Sequence, residues 1–196
     1  LAVTGQLENT LIVFASDNGG SVTASSAINS PLNGMKGTFL EGGLRVPMIM
    51  HWPAKWESNR VYDQSVITLD LLPTFVHIAG GDVASETVGK GKRSYKRVRD
   101  GVNLFPYLSG AAEGQPHEML VWRMALRGSA IRKGDWKLIQ FLNDGRLELY
   151  NLQEDLKESE NLAEENDQVA QQLVTELTNW RKENKVPLPT ASKLEY

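Results

Sequence analysis

The sequence predicts an α/β fold in its first part, followed by a small α+β subdomain with a four-stranded antiparallel sheet and a C-terminal helix. Two short apolar runs rich in β-branched residues lie before residue 53. Four further strand-like runs, separated by turn residues, follow residue 118, and an amphipathic stretch comes after them. We place the boundary between the two parts near residue 115, which gives parts 1–115 and 116–196.

The two early apolar runs are predicted to be strands that are buried on both faces. The first covers residues 10–16 and stops at Asp17-Asn18-Gly19-Gly20, and the second covers residues 46–52. Continuous apolar runs of this kind are typical of strands inside a parallel sheet. Two strands do not complete such a sheet, so we expect this chain to need neighbouring strands from a larger protein or from a partner.

A helix is predicted over residues 70–79. Asp70 is its expected N-cap, Pro73 falls in its first turn, and a pair of glycines follows its end. In the second part, strands are predicted at 119–124, 128–132, 136–142 and 146–151, with Gly-Asp and Asp-Gly pairs as hairpin turns.

The last helix is predicted over residues 167–185. Its apolar side chains recur at helical spacing on one face, which we expect to cover the sheet. They are Val169, Leu173, Leu177 and Trp180.

Composition excludes several classes of function. A formal charge of −3 provides no field that would attract nucleic acid or an anionic membrane. The absence of cysteine excludes disulfides, thiolate metal sites and a cysteine nucleophile from these residues. No run reaches the roughly 18 apolar residues of a membrane-spanning helix. No signal peptide pattern is present, so we expect either a cytosolic chain or a true start elsewhere.

Asp17 and Asn18 are candidate metal ligands. They follow a predicted strand at its carboxyl end, where α/β sheets place their ligands. A carboxylate and an amide oxygen suit a hard cation such as Ca²⁺, which takes about six to eight oxygens. Asp, Asn and Gly also form ordinary turns, and two side chains supply only part of a ligand set. On the residues alone, both interpretations stay open.

Lys36 is a candidate anion-binding residue because it lies in the glycine-rich loop 33–43. Such loops can present backbone N–H groups and a cation to a tetrahedral oxyanion. The alternative is a solvated lysine on a flexible loop.

These segments resemble the sulfatase family. The motif at 17–20 and the longer one at 34–47, GMKGTFLEGGLRVP, match in order and spacing. Segments 70–79, 100–110, 131–139 and 148–163 are also similar, so the resemblance covers residues 9–163 or so. It implies an alkaline-phosphatase-like sulfatase fold, of which this chain would be the C-terminal part.

The resemblance also implies roles for the candidate residues. Asp17 and Asn18 match a pair of calcium ligands that act with two N-terminal carboxylates, and Lys36 matches a lysine that contacts the sulfate group. The family's nucleophile is a hydrated formylglycine made in a C/S-x-P-x-R motif, which this sequence lacks. We therefore expect part of a calcium and sulfate site, a missing N-terminal half as partner, and no hydrolysis by this chain alone.

The implied reaction is hydrolysis of a sulfate ester, on a carbohydrate or an aryl sulfate, in the periplasm or outside the cell. Two alternatives stay open. One is a phosphonate or phosphodiester hydrolase of the same superfamily. The other is a non-catalytic module that binds sulfated glycans, or one subunit of a split enzyme.

The remaining charged residues receive mostly structural interpretations. Glu41 and Arg45 are predicted to form an ion pair or loop anchor, and His117 has no obvious carboxylate partner. The basic loop 90–99 is expected to be solvated, or to attract a sulfated polysaccharide. The acidic stretch is predicted to be a solvated surface; it comprises Glu154, Asp155, Glu158, Glu160, Glu164 and Glu165.

Overall fold

A computed structural model describes residues 1–22, 27–82, 86–88, 95–97 and 100–187 of the chain. It contains two compact units. The first unit comprises Leu1–Val13 and Met50–Glu118, and the second comprises Phe14–Ile49 and Met119–Tyr196. The boundary predicted near residue 115 stays a prediction. None of the helices in the described ranges is both long and apolar enough to cross a membrane.

Strands β1 and β2 form a two-stranded sheet, as the two apolar runs indicated. They span Ile12–Ala15 and Met48–His51. The expectation that both are buried on both faces is wrong for this structure, since Phe14 is 63% and Ile49 is 61% exposed. The physical reason is that side chains on a sheet face are buried only by a layer packed on that face, and the described residues leave Phe14 and Ile49 without such cover.

The first unit contains the predicted helix, with bounds Leu71–Ile78. A 3₁₀ turn at Thr68–Asp70 precedes it, and Gly80 follows its end with a φ of +80°. Asp70 stands at the N-cap position, but the expectation that its side chain caps the helix is wrong. Its carboxylate instead accepts the N–H groups of Ile67 and Val102, each at 2.8 Å. This helix is α2, because the short helix α1, Glu41–Leu44, precedes it in the second unit. The other short elements of the first unit are β3 Glu86–Val88, β4 Tyr95–Arg97 and α3 Phe105–Leu108.

His117 does have a carboxylate partner, contrary to the expectation from sequence. Its Nε2 lies 2.9 Å from each carboxylate oxygen of Asp70. Both side chains are buried, and they are 47 residues apart in sequence, so spacing gave no indication of the pair. Asp70 therefore joins the start of α2 to the end of the first unit.

The second unit contains the predicted four-stranded antiparallel sheet, in the order β5-β6-β7-β8. Consecutive strands pair as hairpins, and the glycines of the two predicted turns, Gly134 and Gly145, have φ values of +58° and +73°. Helix α4, Asp167–Glu183, is also present as predicted. The strands are β5 Leu120–Met124, β6 Gly128–Lys133, β7 Trp136–Phe141 and β8 Leu147–Asn151.

Both faces of this sheet are covered. Side chains such as Leu138 pack with Leu173 and Leu177 of α4 on one face. On the other face, Ile139 packs with Phe39, which comes from the glycine-rich loop. Because side chains alternate along a strand, neighbouring residues of β7 serve different faces. The sheet therefore supports α4 on one side and the candidate sulfate-binding loop on the other.

Leu177→Ala is expected to lower the free energy of unfolding by about 2–5 kcal/mol, because Leu177 is fully buried and its truncation leaves a cavity under α4. Chemical denaturation followed by circular dichroism measures the loss. Leu126→Ala is the matched control, since Leu126 is 51% exposed and its truncation is expected to cost no more than about 0.5 kcal/mol. Equal losses in the two variants would contradict this description of the core.

Candidate functional site

Asp17 and Asn18 follow β1 in the second unit, at the position predicted from sequence. Asp17 is exposed and Asn18 is half-buried. The Asn18 amide donates to Asp17 Oδ1 at 2.8 Å, and the Ser16 hydroxyl donates to the Asn18 carbonyl at 2.9 Å. The two side chains thus lie side by side at the end of the strand, with the carboxylate open to solvent.

Gly19 places this pair against helix α1. Its N–H donates to the Gly43 carbonyl at 3.1 Å. A Cβ on Gly19 would lie 1.7 Å from the Gly42 carbonyl oxygen, closer than any real contact. The glycine is required here because two backbone segments touch directly.

Asn29 joins the Asp17-Asn18 turn to the glycine-rich loop. Its Oδ1 accepts the Gly20 N–H at 2.8 Å, and its Nδ2 donates to the carbonyls of Gly20 at 2.9 Å and Gly34 at 3.0 Å. The Lys36 N–H donates to the same Gly20 carbonyl at 3.3 Å. Sequence reasoning missed Asn29. A side chain amide can donate and accept at once, but nothing in its spacing indicates which loops it joins.

Lys36 is exposed at the tip of a tightly folded loop. Gly34 and Gly37 on either side of it have φ values of +89° and +83°, which favour glycine. The Thr38 hydroxyl accepts the Met35 N–H at 3.1 Å and donates to the Met35 carbonyl at 2.8 Å. Within the described ranges, no carboxylate lies within ion-pair distance of the Lys36 ammonium. The loop therefore presents an exposed lysine, and the backbone of that lysine contacts Gly20 of the turn at 17–20.

The donors at the turn fit calcium in kind but not in number. Asp17 offers carboxylate oxygens and Asn18 an amide oxygen, both hard ligands of the type that Ca²⁺ prefers. No group of three or more His, Cys, Asp or Glu side chains in the described ranges could hold a metal ion. A calcium ion at this turn would need further oxygen ligands beyond these two side chains.

A cavity of about 300 Å³ lies between residues 37–40 and the sheet. The Arg127 guanidinium at its rim donates to the Gly37 carbonyl at 2.7 Å. The Arg146 guanidinium lies over the Phe141 ring, 4.1 Å from its centroid. The lining residues are Gly37, Thr38, Phe39, Leu40, Arg127, Ile139, Phe141, Arg146 and Glu148.

A buried ion cluster lies behind the glycine-rich loop. Lys137 Nζ is 2.8 Å from Glu41 Oε1 and 2.7 Å from Glu158 Oε1. The interpretation of Glu41 as a loop anchor agrees with this contact, whereas its contact with Arg45 is longer, at 3.9 Å. The expectation that Glu158 belongs to a solvated surface is wrong. Burial raises the pKa of the Glu158 carboxyl, although the Lys137 ammonium opposes that rise.

The basic loop 90–99 lies almost entirely outside the described residues. Only the backbone of Tyr95–Arg97 is described there, as β4 paired antiparallel with β3. The hypothesis that this loop attracts sulfated polysaccharide stays a prediction.

Residues 35–183 match the family described as N-sulphoglucosamine sulphohydrolase, C-terminal. A sulfatase of Formosa agariphila is 35% identical over 93% of this chain, and human arylsulfatase D is 35% identical over 59% of it. The crystal structure of Ps i-CgsB in complex with k-i-k-neocarrahexaose is 30% identical and superposes with a TM-score of 0.75 over 98% of this chain.

The matches cover only part of these relatives. The chain spans 35% of the Formosa agariphila sulfatase, 19% of arylsulfatase D and 41% of the Ps i-CgsB chain. The matching family is a C-terminal one, and the solved relatives have the alkaline-phosphatase-like fold that was predicted. The chain therefore belongs to the sulfatase family and corresponds to the C-terminal portion of a sulfatase.

Proposed function

We propose that this chain supplies Asp17, Asn18 and Lys36 to the active site of an enzyme that hydrolyses sulfate esters. The observation that carries the proposal is the hydrogen-bond network through Asn29, which holds the turn at 17–20 beside the loop at 34–37. Membership of the sulfatase family supports the same reaction.

Lys36 binds the sulfate group in this proposal. Its ammonium is exposed and has no carboxylate partner within the described residues, so its charge is available to an anion. A cation held beside sulfate oxygens stabilises the negative charge that builds up on them in the transition state. The Asn29 network gives the lysine's backbone a fixed position, so little reorganisation is needed when the substrate binds.

Asp17 and Asn18 would hold Ca²⁺ together with ligands outside this chain. When bound, the ion would polarise the sulfate oxygens as a Lewis acid. The contribution of these residues is an exposed carboxylate and an adjacent amide, fixed to α1 through the close contact at Gly19.

The nucleophile is proposed to come from an N-terminal half of the sulfatase. This sequence has no C/S-x-P-x-R motif, and it spans 35% of its Formosa agariphila relative. The exposed apolar side chains of β1 and β2 support such a partner, since elements of that half packed on the faces of the sheet would cover Phe14 and Ile49. Residues 1–196 alone are expected to hydrolyse no sulfate ester.

The substrate is proposed to be a sulfated carbohydrate. The support is the likeness to Ps i-CgsB, which has been solved in complex with the oligosaccharide k-i-k-neocarrahexaose. The cavity lined by residues 37–40, Arg127 and Arg146 follows Lys36 in sequence and offers room for a polar group of the sugar.

In the whole sulfatase that contains this chain, Lys36→Ala is expected to lower kcat for a sulfated sugar by about 10²–10³-fold, because it removes a charged group that stabilises the transition state. Lys182→Ala is the control, since Lys182 is exposed on α4 and is expected to leave kcat unchanged.

Free sulfate measured by ion chromatography gives the rates. A Lys36→Ala enzyme with the wild-type rate would contradict the proposal. If the wild-type enzyme cleaves a phosphodiester but no sulfate ester, the proposal of a sulfatase activity is wrong and the phosphodiester hydrolase alternative takes its place.

A further inference from the structure

We propose that Lys137 is a positioning residue for the sulfatase site. Through its buried cluster with Glu41 and Glu158, it fixes the two loops that carry Asp17 and Lys36. This inference rests on the proposed function for the roles of those two loops. The coupling between the cluster and the loops can be measured without any enzyme activity.

The cluster consists of three charges without access to solvent. The Lys137 and Glu158 side chains are 0% exposed, and the Glu41 side chain is 4% exposed. Desolvating charges costs more than burying apolar side chains of the same size, so such a cluster adds little to stability compared with a hydrophobic one. The cluster is therefore better explained by the geometry that it imposes than by the stability that it adds.

Glu41 is held at both its side chain and its backbone. Its carboxylate binds Lys137 at 2.8 Å, and its N–H donates to Glu158 Oε2 at 2.5 Å. Lys137 belongs to β7, and Glu41 is 96 residues from Lys137 and 117 residues from Glu158 in sequence. The start of α1 is thus held at two points, by Lys137 of the sheet and by Glu158 in the segment that follows β8.

From α1, one chain of contacts leads to the proposed metal ligands. Glu41 is followed by Gly42 and Gly43, both buried. The Gly43 carbonyl accepts the N–H of Gly19, and the Gly42 carbonyl oxygen occupies the space where a Gly19 side chain would be. A shift of α1 would therefore move the turn that presents Asp17.

A second chain of contacts leads from α1 to Lys36. The Gly42 N–H donates to the Asn33 carbonyl at 2.7 Å, at the start of the glycine-rich loop. The next carbonyl, of Gly34, accepts from Asn29, which also binds Gly20, the acceptor for the Lys36 N–H. Both proposed functional loops thus have α1 as a common support, and α1 rests on Lys137.

Within the described residues, Arg45 is the other cation close to Glu41, and its geometry does not allow it to replace Lys137. Arg45 lies 3.9 Å from the Glu41 carboxylate, and its side chain is 51% exposed. Without Lys137, the carboxylates of Glu41 and Glu158 would remain next to each other with no buried cation between them. One of them would then have to take up a proton or move away from the other, and either change would loosen the contacts that hold α1 on the sheet.

The experiment compares Lys137→Met with Lys133→Met and Lys137→Arg in the whole sulfatase. Lys137→Met keeps the length of the side chain and removes its charge. Lys133 lies on the neighbouring strand β6, is 45% exposed and pairs with Glu176 at 2.8 Å, so its substitution removes a lysine ion pair that does not support α1. Lys137→Arg keeps a cation that can bind both carboxylates and tests for rescue.

The first readout is hydrogen exchange of the backbone amides, measured well below the melting temperature. In Lys137→Met, we expect the amides of Gly19, Lys36 and Gly42 to exchange at least 10-fold faster, while the amides between β6 and β7 keep their protection. Lys133→Met should change none of these rates, and Lys137→Arg should restore most of the protection. Unchanged exchange at the three loop amides in Lys137→Met would overturn the proposal.

The second readout is a double-mutant cycle on kcat with Lys36→Ala. Lys137→Met is expected to lower kcat at least 10-fold in the wild-type background and by a clearly smaller factor in the Lys36→Ala background, because one of the two groups that it positions is then absent and only the Asp17 turn remains to be displaced. Equal losses in both backgrounds would indicate a merely structural role and overturn the proposal. If the wild-type protein hydrolyses no sulfate ester, the proposed function fails, and hydrogen exchange still decides the coupling.

If Lys137→Met does not fold, Glu158→Gln replaces it. That variant keeps the Glu41–Lys137 pair. In the wild type, one Glu158 oxygen faces Lys137 Nζ and the other accepts the Glu41 N–H. In glutamine one of these oxygens is replaced by an NH₂ donor, so one of the two contacts is lost. The same three loop amides are expected to exchange at least 3-fold faster. Wild-type exchange in Glu158→Gln would overturn the proposal in the same way.

Discussion

The methyl group that Gly19→Ala adds is expected to disrupt the candidate site more than a methyl group added at any other glycine of the site. The added Cβ would lie 1.7 Å from the Gly42 carbonyl oxygen and 2.9 Å from Gly43 Cα, so one of the two backbone segments must move. Forcing such a displacement in a packed region costs about 3 kcal/mol or more. A displacement of about 1 Å at the turn that presents Asp17 is expected to lower sulfate ester hydrolysis by about 10²-fold in the whole enzyme.

Gly134→Ala is the matched control for Gly19→Ala. Gly134 lies in the β6–β7 turn with a φ of +58°, and a Cβ there would meet nothing within 4 Å. Its substitution therefore reports only the backbone strain, about 1–2 kcal/mol, with no change in kcat. Thermal denaturation and sulfate release measure both effects. If Gly19→Ala behaved like Gly134→Ala, the close contact between the turn and α1 would not exist in solution.

Asp70→Ala is expected to destabilise the protein by about 3–5 kcal/mol. The carboxylate accepts hydrogen bonds from two backbone N–H groups and from His117 Nε2, and its removal leaves these three partly buried donors without that acceptor. In a chain of this size, the melting temperature is expected to fall by roughly 10 °C.

Asp63→Ala is the control for Asp70→Ala, because Asp63 is exposed and belongs to the same unit. Its effect is expected to stay within about 0.5 kcal/mol. Differential scanning calorimetry of both variants measures the difference. A melting temperature in Asp70→Ala close to that of wild type would show that Asp70 does not join the helix start to His117.

The elements of the second unit could be predicted because their signals are local. Gly134 and Gly145 mark two hairpin turns, and the spacing of Leu173 and Leu177 gives α4 its apolar face. How the sheet's second face is covered could not be predicted in this way. Phe39 packs there on Ile139, 100 residues further along the chain, and periodicity carries no information about contacts of that range.

The same distinction between local signals and contacts over a long sequence distance applies to the candidate site. Asp17, Asn18 and Lys36 stand in two short motifs, so resemblance to a family was enough to single them out. Glu158 was misassigned because it stands in an acidic run typical of a solvated surface, while its partner Glu41 is 117 residues away. One signal for the cluster was present: Lys137 stands between Trp136 and Leu138 in a mainly apolar strand, where a lysine is unusual unless it pairs with a carboxylate.

Calcium titration of the purified 196-residue chain by isothermal calorimetry tests most directly whether Asp17 and Asn18 are half of a shared metal site. Two ligand side chains without their N-terminal counterparts are expected to bind no more tightly than about 1 mM. The wild-type chain and Asp17→Ala should then give the same heats. Tight binding by the wild type that is lost in Asp17→Ala would contradict a shared site, because the chain would complete its own calcium site.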